Sequence, residues 1–311
     1  MVEHDLAKVG VASSSLVFRS FLCPKFSMSS DSVSPVDNVT RDIPLCDDKS
    51  CIRDDSRKYA LVTGASSGIG LQYARQLAQR GYNLLIVSNE SGIHSCAKEI
   101  EEESSVDVIA LERDLATQDA AKELFDYCTD NNIEIEVLIN NAGVYRNSDF
   151  LDTDENFNRQ ILNLHVFTPS MLIYYFGKDM RLRHKGYILN MSSITADIAV
   201  QRLSTYSATK SYIRNFSRSV HIELKKEGVY VTAVCPGAVS TNLYNLSDSA
   251  RKTGLRLGYM VTPEKLAQNG LNAMFRGKWR ITPGIINHIG VFLIKLIPTW
   301  MLRIVRKSGL Y

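Results

Sequence analysis

Apolar residues recur in two rhythms along this chain, and the switches between them mark its elements. Runs of four to six mostly apolar residues give strand candidates at Tyr59–Thr63, Asn83–Val87, Val106–Leu111, Val137–Asn140, Gly186–Met191, Tyr230–Cys235 and Trp279–Thr282. Between them lie stretches with apolar residues at helical spacing: Ile69–Arg80, Thr117–Asn131, Asn156–Met180, Tyr206–Glu227 and Thr262–Phe275. Gly81 and Gly228 stand where two of those helices should stop, and Thr262-Pro263 reads as an N-cap followed by the first helical residue. Strands that are apolar throughout are buried on both faces, and their alternation with helices implies parallel pairing through right-handed crossovers. The pattern predicts an α/β protein on a doubly wound parallel sheet, one domain over residues 58–284. In such sheets ligands bind beyond the carboxyl ends of the strands, so the chemistry is expected just after the strand runs.

The flanks follow a different pattern. Residues 1–57 hold Pro24, Pro35 and Pro44 and no sustained apolar period, which predicts a disordered extension. Its start lacks an unbroken apolar stretch followed by small residues, which reads against a signal peptide. Residues 285–311 form an apolar, basic tail broken by His288, Lys295 and Pro298, without the run of about 20 apolar residues that a spanning helix needs. Three readings of the tail stay open. It packs on the domain or on a second subunit of a homo-oligomer. It lies on a membrane surface with Trp300, Arg303, Arg306 and Lys307 among the headgroups. Or it covers a lipophilic substrate pocket.

Composition narrows the class. At 45% hydrophobic and 22% charged over 311 residues, the chain is neither wholly disordered nor collagen-like. The net charge of +3 hides an asymmetry: residues 251–311 carry eleven Lys or Arg against Glu264 alone, leaving residues 1–250 at −7. The basic part suits a phosphorylated ligand, an acidic carrier or an anionic lipid surface, and a solvated basic face accounts for it equally well. Nothing in the pattern points to nucleic acid. The six cysteines form no CxxC, and no His pair stands at metal-ligand spacing, so no metal is expected and the thiols read as reduced and cytoplasmic.

The first strand runs into Thr63-Gly-Ala-Ser-Ser-Gly-Ile-Gly70 and then a helix. Gly64 permits the tight turn, Gly68 lets a pyrophosphate approach the backbone, and Gly70 lets the helix pack close to the strand. The helix N-terminus offers N–H groups and partial positive charge to the anion. With this turn stand four further motifs: Arg113-Asp114-Leu115 after the third strand, Asn140-Asn141-Ala142-Gly143 ending the fourth, Tyr206-Ser-Ala-Thr-Lys210, and Pro236-Gly237 with Thr241. In this order, over roughly residues 58–282, they resemble the short-chain dehydrogenase/reductase family, whose Rossmann-like fold is a single compact domain. The resemblance implies a nicotinamide dinucleotide held by Thr63, Gly64, Ser66, Ser67, Gly68, Ile69 and Gly70, with Ser88 and Asn89 at the adenosine ribose. It also implies Asp114 and Leu115 at the adenine, then Asn141, Ala142 and Gly143, and Pro236, Gly237, Val239 and Thr241 at the nicotinamide. An acid at the end of the second strand would repel a 2′-phosphate and a basic residue would hold one. Val87-Ser88-Asn89 offers neither, and the reading favours NADP(H) over NAD(H).

Tyr206 and Lys210 lie one helical turn apart. A phenol of pKa about 10 is a poor acid or base at pH 7, and a cation beside it favours the phenolate. Tyr206 is thus expected to pass a proton to or from a carbonyl or alcohol oxygen while hydride moves, with Lys210 lowering its pKa and, by the resemblance, binding the ribose. By the same resemblance Ser193, 13 positions before Tyr206, holds the substrate oxygen while Ser192 points away. Asn163 anchors a water of the proton relay, and His165 is structural. Together these residues predict an NAD(P)-dependent oxidoreductase acting on a ketone or secondary alcohol, and the membrane and lid readings of the tail suggest an apolar, fatty-acyl or steroid-like carbonyl as substrate. A dinucleotide-sensing regulator without turnover and a sugar-nucleotide epimerase are the alternatives. The epimerases usually show another glycine spacing and a larger C-terminal domain.

Overall fold

A computed structural model describes residues 58–240, 248–256 and 260–284. The expectations for the 1–57 extension, the 285–311 tail and Thr241 fall outside the described residues. The strands are β1 (Lys58–Thr63), β2 (Asn83–Ser88), β3 (Val108–Glu112), β4 (Glu134–Asn140), β5 (Gly186–Met191), β6 (Val229–Val234), β7 (Ala238–Val239), β8 (Met260–Val261) and β9 (Arg280–Ile281). The α-helices are α1 (Gly68–Ala78), α2 (Ile93–Glu103), α3 (Ala120–Asp130), α4 (Glu155–Leu162), α5 (Thr168–Leu182), α6 (Ser204–Leu224), α7 (Asp248–Arg256) and α8 (Pro263–Phe275).

Seven strands form one parallel sheet in the order β3-β2-β1-β4-β5-β6-β9. The short β7 and β8 pair separately. Successive residues of a strand face opposite sides, and the core divides accordingly. Ala60 and Val62 of β1 pack with Tyr73 and Leu77 of α1, Ile93 and Ile100 of α2, and Leu266 and Leu271 of α8. Leu61 faces the other layer, with Leu124 of α3, Leu172 and Phe176 of α5, and Val231 of β6. All three β1 residues are fully buried, as the continuous apolar run implied. The strand order reverses between β1 and β4, so a crevice opens beyond their carboxyl ends.

Two elements depart from the pattern read along the chain. Helix α2 was not anticipated: its sequence, IHSCAKEIEEE, buries only Ile93, Ala97 and Ile100, too thin a stripe to stand out. The single helix expected over Asn156–Met180 is instead α4 and α5 joined by a π-helical turn at Asn163–Phe167. The N–H of Thr168 there donates to the carbonyl of Asn163, five residues back. The cap at Thr262 forms as expected, its side chain accepting from the Lys265 N–H with Pro263 first in α8. Among the described residues no helix is long and apolar enough to cross a membrane.

Candidate functional site

The crevice holds a cavity of about 440 Å³. Gly64, Ser66, Ser67, Gly68 and Ile69 line it from the β1–α1 turn, and Ser88 and Asn89 from the end of β2. Asp114 and Leu115 line it after β3, Asn141, Ala142 and Gly143 after β4, Pro236 and Val239 after β6, and Tyr206 and Lys210 from α6. Residues far apart in sequence thus meet because each follows a parallel strand or sits on the helix beside one.

The turn is built from the inside. A Cβ on Gly70 would stand 2.0 Å from the Gly64 carbonyl oxygen, so only glycine lets α1 start this close to β1. The Asn141 side-chain amide donates to the carbonyls of Thr63 and Gly64, both at 3.0 Å. Thr63, expected at the cofactor, is 2% exposed and does not line the cavity. Its hydroxyl donates to the Ile139 carbonyl and accepts the N–H groups of Asn141 and Ala142, clamping the two loops together. Gly70 and Gly237 are buried and likewise do not line the cavity. Ser67, the N-cap of α1, makes no side-chain cap bond, so the first-turn N–H groups are left for a ligand. The glycine turn, the uncapped helix start and the cavity size fit a dinucleotide with its diphosphate on α1.

Glu90 also lines this end of the cavity, unforeseen by the sequence. Ser66 Oγ donates to Glu90 Oε2 at 2.7 Å, and Ser88 Oγ to Ser66 Oγ at 3.0 Å. The carboxylate therefore sits against the glycine turn, although it lies two residues beyond the position where an acid was sought.

At the other end, Tyr206 and Lys210 are 9% and 7% exposed, and Lys210 Nζ lies 5.5 Å from the Tyr206 ring centroid. The ammonium donates to the Met191 carbonyl at 2.9 Å. Burial lowers its pKa to about 8, so it stays mostly charged at pH 7. Two rings meet Tyr206 edge-on: Tyr145 at 5.4 Å and His165 at 5.7 Å between centroids. His165, read as facing elsewhere, in fact lines the cavity. The π turn that places it there leaves no trace in apolar periodicity.

The serines and Asn163 also differ in part from expectation. Ser192 lines the cavity but its hydroxyl donates to the Lys210 carbonyl at 2.8 Å. Ser193 is 7% exposed and lies outside the lining, its hydroxyl oxygen accepting the Thr195 N–H at 3.1 Å. Asn163 does not line this cavity: its amide donates to the Ala116 carbonyl at 2.7 Å, and it lines a separate surface groove. No cluster of metal-binding side chains occurs among the described residues.

Residues 58–252 match the family model described as short chain dehydrogenase. The chain is 30% identical over 252 residues to the very-long-chain 3-oxoacyl-CoA reductase of Homo sapiens, covering 78% of this chain and 77% of that protein. It is 27% identical over 266 residues to hydroxysteroid dehydrogenase-like protein 1 of Gallus gallus, covering 81% and 78%. Among solved structures it resembles the bulky-bulky ketone specific alcohol dehydrogenase from Comamonas testosteroni, at 26% identity and a TM-score of 0.64, over 77% of this chain and 94% of that one. A short-chain dehydrogenase from Sphingobium yanoikuyae in complex with NADPH is similar at 25% identity and a TM-score of 0.66, over 78% and 96%.

Proposed function

The chain belongs to the short-chain dehydrogenase family, oxidoreductases of CH–OH and C=O groups with NAD(P), and on that premise we propose that it reduces an apolar, fatty-acyl-like ketone at Tyr206. The observation that carries this reading is the buried Lys210 ammonium, 5.5 Å from the Tyr206 ring in the wall of the dinucleotide-sized cavity. The nicotinamide, when bound, supplies the hydride. Tyr206 gives its proton to the carbonyl oxygen, and the Lys210 charge stabilises the phenolate left behind. Ser193 holds the same oxygen, since its O–H proton has no acceptor among the described residues whereas that of Ser192 is engaged. The relatives named for 3-oxoacyl-CoA and ketone substrates support an apolar carbonyl, as does the apolar 285–311 sequence, which also suits peripheral membrane contact. Exposed Phe167, Tyr174 and Tyr212 support a homo-oligomer.

For the cofactor, the sequence favoured NADP(H) because position 88 holds no acid. Glu90 supplies one: its carboxylate, bonded to Ser66 beside the diphosphate turn, would face a 2′-phosphate. The reading we keep is NADP(H) over NAD(H), supported by the similar short-chain dehydrogenase in complex with NADPH, with Glu90 the carboxylate that weighs against a 2′-phosphate.

The test is turnover of purified protein with NADH or NADPH on 3-oxoacyl thioesters and ketones of increasing chain length. Tyr206→Phe should cut kcat by about 100-fold or more while leaving cofactor affinity within twofold. Full activity in that variant would overturn the mechanism. Cofactor binding by the wild type without turnover of any carbonyl would make the protein a nucleotide sensor instead.

A further inference from the structure

We propose that His165 is a positioning residue for Tyr206, its imidazole bridging the loop after β4 to α6 so that the phenol is held in place. The inference rests on the reading of Tyr206 as the proton donor.

His165 is 3% exposed and makes two hydrogen bonds. The Val144 N–H donates to Nε2 at 3.0 Å, so Nε2 carries no proton. The Thr209 hydroxyl donates to the Tyr206 carbonyl at 2.8 Å, so Thr209 Oγ1 must accept from Nδ1–H at 3.1 Å. One tautomer satisfies both bonds: neutral, with its proton on Nδ1. The bridge runs without a gap from Val144 N–H through the imidazole and Thr209 to the backbone of Tyr206, and the ring edge also touches the Tyr206 ring. Burial, and then the Lys210 charge, hold the imidazole well below its usual pKa, so it stays neutral and adds no second cation beside Lys210.

Two features show that the fold makes room for this ring. The π turn Asn163–Phe167 inserts a residue into the helix where His165 sits. Gly143 faces it so closely that a Cβ would lie 2.7 Å from Nε2. The ring thus joins two cavity walls, the Gly143–Val144 loop and α6, and a shift of about 1 Å in a reacting group costs up to 100-fold in rate.

The experiment compares His165→Phe, His165→Gln and Thr209→Val with wild type in steady-state turnover and cofactor titration. His165→Phe keeps a ring but leaves the Val144 N–H unpaired; kcat should fall about 100-fold while cofactor Kd stays within twofold. His165→Gln offers an amide oxygen to Val144 and should recover most of the loss, and Thr209→Val should cost about tenfold in kcat. A stable His165→Phe with kcat within twofold of wild type overturns the proposal. So does a loss confined to KM, or a Gln variant no better than Phe. Should His165→Phe fail to fold, an unchanged kcat in Thr209→Val overturns it instead. If the wild type turns over no carbonyl, the functional reading falls, and nitrogen NMR of the His165 ring decides this proposal separately. A neutral ring protonated on Nδ1 at pH 7 supports it; a proton on Nε2, or a cation, refutes it.

Discussion

Replacing Lys210 by Met should abolish turnover and yet raise the melting temperature of the cofactor-free protein. The ammonium is buried, and desolvation brings its pKa from 10.5 to about 8. Each pKa unit is worth about 1.4 kcal/mol, so keeping the charge inside the fold costs about 3 kcal/mol at pH 7. Methionine fills similar volume without charge but forfeits the charged Nζ bond to the Met191 carbonyl, worth about 2 kcal/mol. The net gain of about 1 kcal/mol corresponds to about 2–4 °C in Tm for a domain of this size. The pH dependence gives the sharper test. Here the folded pKa lies below the unfolded one, so between about pH 8 and 10.5 the unfolded chain binds more protons and wild-type stability rises with pH. Below pH 8 the full cost applies; above 10.5 none does. The advantage of Lys210→Met should accordingly be largest at pH 7 and gone by about pH 10. Melting curves of both proteins at pH 7 and pH 10 read this directly, and taking their difference cancels other titrations. A variant that melts below wild type at pH 7, or an equal difference at both pH values, refutes the reasoning.

Three further outcomes are expected. Glu90→Gln removes the carboxylate beside Ser66 and should raise NADPH affinity relative to NADH by about tenfold at low salt, less at high salt, in fluorescence titrations. Asp197→Asn removes a 6% exposed carboxylate that bridges Arg214 at 2.5 Å and Arg280 at 2.6 Å; urea unfolding should show a loss of about 3 kcal/mol. Among the described thiols, Cys96 is half-buried whereas Cys128 and Cys235 are buried, and burial pushes Cys128 up to about 12. Mass spectrometry after alkylation of the native protein should find Cys96 labelled before Cys128 and Cys235, with cofactor affinity falling as Cys96 reacts because its Sγ bonds the Ser66 carbonyl in the glycine turn.

What could be read along the chain, and what could not, divides on physical grounds. Periodicity reports burial, so β1, with every residue from Ala60 to Thr63 buried, was visible as a run, and α6 as a stripe. It reports little about an element that buries only Ile93, Ala97 and Ile100 in eleven residues, hence the silence on α2. The glycine turn was legible because backbone constraints write themselves into residue type: nothing but glycine fits 2.0 Å from a carbonyl at Gly70. Side-chain direction is written less firmly. On a regular helix, residues 163 and 165 point to nearly opposite sides, and taking Asn163 as inward-facing made His165 outward-facing. The π turn and the Ala116 carbonyl settle the matter the other way, and both are tertiary facts. The same holds for Glu90: a rule for the last residue of β2 looks at position 88, whereas the carboxylate that reaches Ser66 comes from the turn two residues on. Thr63 shows the converse, since a hydroxyl in a cofactor motif proves to serve the loop behind it. A motif therefore identifies which loops meet, because loop paths are set by the backbone. Which side chains face the ligand is set by what each one bonds to across the fold, and a single sequence does not contain that pairing.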